Sequence, residues 1–70
     1  MKIKLKNLLK ILPQETIINI FHDNTSRFII SGSIKEIKNT YSFSYFLNNR
    51  IVKFIEIDEM DLSLTITLKK

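Results

Sequence analysis

The residue types that carry most enzymatic chemistry are scarce in this 70-residue chain. His22 is the one histidine, and there is no cysteine, which excludes thiolate nucleophiles, disulfides and cysteine-bound zinc. A serine–histidine–aspartate relay would have to join His22 to a neighbour such as Asp23. Consecutive strand residues point to opposite faces, so that pair reads as a strand end beside a turn. A single glycine, Gly32, cannot build a glycine-rich phosphate loop. The chain is therefore read as a non-enzyme with no catalytic residue and no cofactor.

Two charged groups remain. Glu56, Asp58, Glu59 and Asp61 put four carboxylates within six residues of a chain whose net charge is +4. Hard cations take oxygen ligands, but the spacing lacks the glycine and terminal glutamate of a calcium loop. The cluster is read as a polar hairpin turn that could serve as an acidic docking knob, and no metal site is assigned. The cations fall in three groups: Lys2, Lys4, Lys6 and Lys10; Lys35, Lys38, Arg50 and Lys53; and Lys69 with Lys70. Tyr41, Phe43 and Tyr45 lie near the second. Cations interleaved with rings suit single-stranded nucleic acid. Lysines also solvate the surfaces of small domains, and the chain has only two arginines, the side chain best suited to bidentate recognition. Nucleic acid is therefore the alternative partner, through Lys2, Lys6, Lys10, Lys35, Lys38 and Arg50.

The elements that must position these groups follow from periodicity. Leu5, Leu8, Leu9 and Leu12 form one helical stripe that Pro13 ends. A lysine-rich start opposes the helix dipole, so the first turn should be frayed, with the residues before it extended; the rival reading is a strand at Met1–Leu5, where Ile3 and Leu5 alternate with Lys2 and Lys4. Thr16 to His22 and Arg27 to Ser31 read as a hairpin about the turn at Asp23 to Ser26. Gly32 is expected to break the second strand. Ser33 and Glu36 have capping-box spacing for a short helix carrying Ile34 and Ile37. Tyr41 to Leu47 fits either a strand or a helical face. Ile51 to Ile57 and Leu62 to Leu68 form a second hairpin about the acidic turn, the latter with Leu62, Leu64, Ile66 and Leu68 inward. One buried and one solvated face implies an antiparallel sheet. The expected fold is a single α+β domain. Its N-terminal helix packs on an antiparallel four-stranded sheet, five-stranded if Tyr41–Leu47 pairs, with a short helix between two hairpins.

Size limits the core. A domain this short buries only ~60% of its unfolded surface, and 13 isoleucines, 8 leucines and 5 phenylalanines exceed what a small core easily hides. If Ile18 and Ile20 face the helix, Ile17 and Phe21 face out and Ile29 joins them. Such a patch marks a protein interface; the other reading is that Tyr41–Leu47 covers it. Ile17, Phe21, Ile29 and Tyr45 are the candidate contact residues for a partner protein or a second copy of the chain, and a homo-oligomer is expected. No apolar run is long enough to span a bilayer and no apolar core follows the basic start, so neither membrane nor secretion is expected and a cytoplasmic location is the default.

Leu5-Lys6-Asn7-Leu8-Leu9-Lys10-Ile11-Leu12-Pro13, followed by Ile18-Asn19-Ile20-Phe21-His22-Asp23, resembles short open reading frames of phages, prophages and mobile elements in AT-rich bacteria. The step Gly32-Ser33-Ile34-Lys35-Glu36-Ile37 and the closing pair at Val52 to Ile55 and Leu62 to Ile66 are similar too. The resemblance covers most of the chain with structural motifs. It implies a phage-like origin and an α+β fold, favours helix over Ser44–Asn48, and carries no catalytic residues. With the small size, it suggests a modulator or inhibitor of a host protein, one form being an inhibitor of a defence nuclease in the manner of anti-CRISPR proteins.

Overall fold

A computed structural model describes residues 2–23 and 27–69. Lys70 and the turn expected at 24–26 lie outside the described residues. The elements are α1 (Leu5–Lys10), β1 (Ile17–His22), β2 (Arg27–Ser33), α2 (Ile34–Lys38), a π-helical segment (Phe43–Leu47), β3 (Val52–Asp58) and β4 (Ser63–Leu68). The fold is α+β, with one four-stranded sheet in the order β2-β1-β4-β3. No described helix is long and apolar enough to cross a membrane.

The sheet is mixed, which corrects the all-antiparallel expectation. β1–β2 and β3–β4 are antiparallel hairpins, but β1 and β4 pair in parallel, Ile17 with Ser63 through His22 with Leu68. Alternating hydropathy reports which face of a strand is buried. It does not report the direction of the neighbour, which the long connection between β1 and β4 decides here. Tyr41–Leu47 adds no strand to this sheet. Its residues are helical, with Phe43 and Leu47 buried and Tyr41, Tyr45 and Phe46 exposed.

Both helix starts are capped, by different means. Lys4 offers α1 no side-chain cap and its first turn holds no acid. The free N–H groups donate instead to a distant loop, Leu5 to the Arg50 carbonyl at 2.8 Å and Lys6 to that of Asn48 at 3.0 Å. Residues 3 and 4 are extended beside Ile51 and Val52, as expected, but form a bridge and one more hydrogen bond, not a strand. α2 carries the capping box its sequence predicts. The Ser33 hydroxyl accepts from the Glu36 N–H at 3.2 Å, and Glu36 Oε1 accepts from the Ser33 N–H at 3.2 Å. Gly32 does not break β2; the strand runs through it at φ +149°.

One core joins these elements. Leu5, Leu8 and Leu9 of α1, Ile34 and Ile37 of α2, and Phe43 and Leu47 cluster with Ile18, Ile20, Val52, Ile66 and Leu68 of the sheet. Two bulges then reset which strand residues face it. Ile20 pairs with Ile30 but Phe21 pairs with Phe28, leaving Ile29 as the extra residue. Val52 pairs with Leu68 but Phe54 with Thr67, leaving Lys53 extra. Leu62, expected inward, is instead 82% exposed, in the β3–β4 turn at φ +55°.

Candidate functional site: the outer face of the sheet

The sheet face opposite this core is built from three cross-strand rows. The register aligns Phe28, Phe21, Thr67 and Phe54 across all four strands. Beside that row lie Ser31, Asn19, Thr65 and Glu56, and then Ser33, Ile17, Ser63 and Asp58. Phe28 is 54% exposed, and Ile17 and Phe54 are each 44% exposed. Phe21 is half-buried and meets Phe28 edge-on, ring centroids 5.6 Å apart.

A groove follows from residue size. β4 shows this face only Ser63, Thr65 and Thr67, while the flanking strands carry longer side chains. β1 supplies an apolar wall of Ile17 and Phe21, and β3 a wall of Phe54, Glu56 and Asp58. Along it lies an open cavity of about 240 Å³ lined by Phe21, Phe54, Glu56, Thr65 and Thr67, together with His22 and Asp23.

Charge is distributed unevenly around it. Asp23 is neutralised by Lys53, whose Nζ lies 2.7 Å from Oδ1 and 5.9 Å from the Phe54 ring centroid. Arg50 Nη2 donates to the Lys69 carbonyl at 2.8 Å and lies 3.4 Å from His22 Nδ1. A guanidinium can only donate, so that imidazole nitrogen meets it as an acceptor. Glu56 has no cation partner among the described residues. Asp58 Oδ1 accepts from the N–H groups of Met60 and Asp61 at 2.9 and 3.3 Å, which makes it a turn former. No described group of three or more acidic or histidine side chains is placed to hold a metal ion.

The structure divides the four candidate contact residues. Ile17 and Phe21 lie together on the outer face as expected. Ile29 does not join them: the bulge turns it against the core, and Phe28 stands beside Phe21 in its place. Tyr45 sits on the π-helical segment, whose Phe43 and Leu47 enter the core, so it belongs to the other side of the sheet. There it stacks at 4.4 Å on Tyr41, which also meets Phe46 at 6.0 Å.

The candidate nucleic-acid residues are grouped differently again. Lys6 and Lys10 are on α1 just after Lys2, and Lys35 and Lys38 are on α2. Gln14 links the two helices, donating to the Leu9 carbonyl and accepting from Lys38 Nζ at 3.3 Å. Arg50 is tied to the strand ends and stands apart from them. Phe28, Phe54, Thr65 and Thr67 are the site residues that sequence reasoning missed. The short residues alternating along β4 are the legible signal for a groove, and Phe54 joins its wall by alternation with Ile55 and Ile57, in step with β4. Neither a protein-family model, nor a curated protein, nor a solved structure matches this chain.

Proposed function

We propose that this protein is a small non-enzymatic protein-binding module whose contact surface is the outer face of the sheet. In this reading α1 lies against the inner face with α2 and the π-helical segment, and no second layer among the described residues covers the outer one. One observation carries the proposal: Phe28, Ile17 and Phe54 each leave more than two-fifths of their surface in water on one continuous sheet face. Contiguous exposed apolar surface of this kind is characteristic of interaction sites. A modulator or inhibitor of a host protein, of phage type, is the concrete form suggested by size and by the sequence resemblance.

The test is capture from a nuclease-treated lysate of the source cells, comparing the native chain with the Phe28→Ser/Phe54→Ser double variant. A stoichiometric protein captured by the native chain and lost by the folded variant supports the reading. A partner retained by the variant refutes the surface. Recovery that needs intact nucleic acid, and falls steeply with salt, moves the function to the lysines of α1 and α2.

A further inference from the structure

We propose that the groove along β4 receives an arginine side chain of the partner, its guanidinium on Glu56 and its stem between Phe21 and Phe54. The inference rests on the protein-binding reading above and names the chemistry that reading leaves open. Size argues first. At about 240 Å³ the cavity falls below the ~300–1,000 Å³ of typical small-molecule sites, and suits one long side chain.

Charge argues next. Of the two carboxylates at the cavity, Asp23 already holds Lys53 at 2.7 Å. Glu56 is the one carboxylate there with no cation among the described residues. The same face shows how it accepts a cation: the Lys53 ammonium lies near the Phe54 ring and on a carboxylate together. Beside that pair, Phe21, Phe54 and Glu56 line the cavity, and Glu56 holds no described cation. Among the described side chains, the other charges nearby are Arg50, tied to His22 and the Lys69 carbonyl, and Asp58 on the same face as Glu56.

Arginine fits better than lysine. Its planar group stacks on rings and matches a carboxylate through two parallel hydrogen bonds. The Thr65 and Thr67 hydroxyls offer acceptors for the remaining N–H groups. A second copy docked face to face does not supply the cation. The described cations of this chain lie on the helices and strand ends, or, as Lys53, are already paired, so two outer faces would oppose Glu56 and Asp58 with no described cation between them. Phosphate backbones are disfavoured by the same carboxylates.

The test uses the full chain, ¹⁵N-labelled, titrated with a capped serine-leucine-arginine-leucine-serine peptide and followed by amide chemical shifts. The control peptide carries citrulline, which keeps the shape and removes the charge. Expected are shifts centred on Phe21, Phe54, Glu56, Thr65 and Thr67. Affinity should fall about tenfold or more with citrulline or in Glu56→Gln, since hydrogen bonds to charged groups are the strong ones. Glu56 is exposed, so Glu56→Gln keeps the fold, checked by circular dichroism. Equal binding of both peptides in the groove overturns the arginine assignment and leaves the protein-binding reading intact. No groove shifts up to ~10 mM, tenfold above a millimolar dissociation constant, overturn the assignment as well. The lysate capture with Phe28→Ser/Phe54→Ser tests the underlying reading separately.

Discussion

Ile17 and Ile18 are neighbours on β1 with the same side chain, one 44% exposed and the other fully buried. They give a matched test of which sheet face is bare. Replacing either by alanine removes three carbons. At Ile18, about 0.8 kcal/mol per buried carbon makes a transfer loss of roughly 2.4 kcal/mol, and the space left behind raises the total to about 2–5 kcal/mol. At Ile17 about half of that area already faces water and no cavity forms, so the loss is about 1 kcal/mol. A single core in a domain of this size supplies only about 3–5 kcal/mol. Ile18→Ala therefore removes half or more of the stability, and Ile17→Ala a minor part. In urea, with a slope near 1 kcal/mol per molar for a small domain, the midpoint should fall by about 2 M or more for Ile18→Ala and by about 1 M for Ile17→Ala. Equal falls would mean that a layer covers Ile17, and the outer-face site would be refuted.

Other expectations follow from single features. Gly32 sits at φ +149°, and an added Cβ would meet Glu36 and Ile37 only at ordinary contact distances of 3.7–3.9 Å. Gly32→Ala should therefore cost about 1–3 kcal/mol through backbone strain, not through a clash, read by thermal melting. Leu62 holds φ +55° while 82% exposed, so Leu62→Asn, which tolerates that conformation, should raise stability by about 0.5–1 kcal/mol. Ser33→Ala removes the α2 cap and should cost about 1 kcal/mol. Hydrogen bonds from the Ser33 hydroxyl and backbone N–H hold the Glu36 carboxyl below its usual range. Because the folded value is the lower one, this contribution is whole above the unfolded value and disappears as pH falls through the folded value. The gap in urea midpoint between the native chain and Glu36→Gln should close over that acidic window; a constant gap would refute the capping role.

Local chemistry made the hairpins and α2 legible. The Ser33–Glu36 spacing is realised in hydrogen bonds, and Ile18 and Ile20 are fully buried while Ile17 is not, as alternation along β1 requires. The failures are non-local. Ile29 changes face because the first hairpin carries one extra residue, and a bulge leaves no composition signal. Hydrophobicity alone groups Tyr45 with Ile17, although its neighbours Phe43 and Leu47 are anchored in the core. The groove depends on the first bulge, since Phe28 replaces Ile29 beside Phe21, while Phe54 keeps the face that alternation with Ile55 and Ile57 gives it.

The parallel pairing of β1 with β4 has a consequence for biosynthesis. The strand that completes the middle of the sheet is made last, and Ile17 meets its partner Ser63 only after the intervening chain exists. Those ~46 residues take roughly 2–9 s to synthesise at ~5–20 residues per second. Until β4 is available, Ile18 and Ile20 lack their neighbours on it and one edge of β1 stays unpaired even after β2 has been made. An open strand edge is a template for other chains, so the nascent protein is at its most adhesive before its own fourth strand arrives.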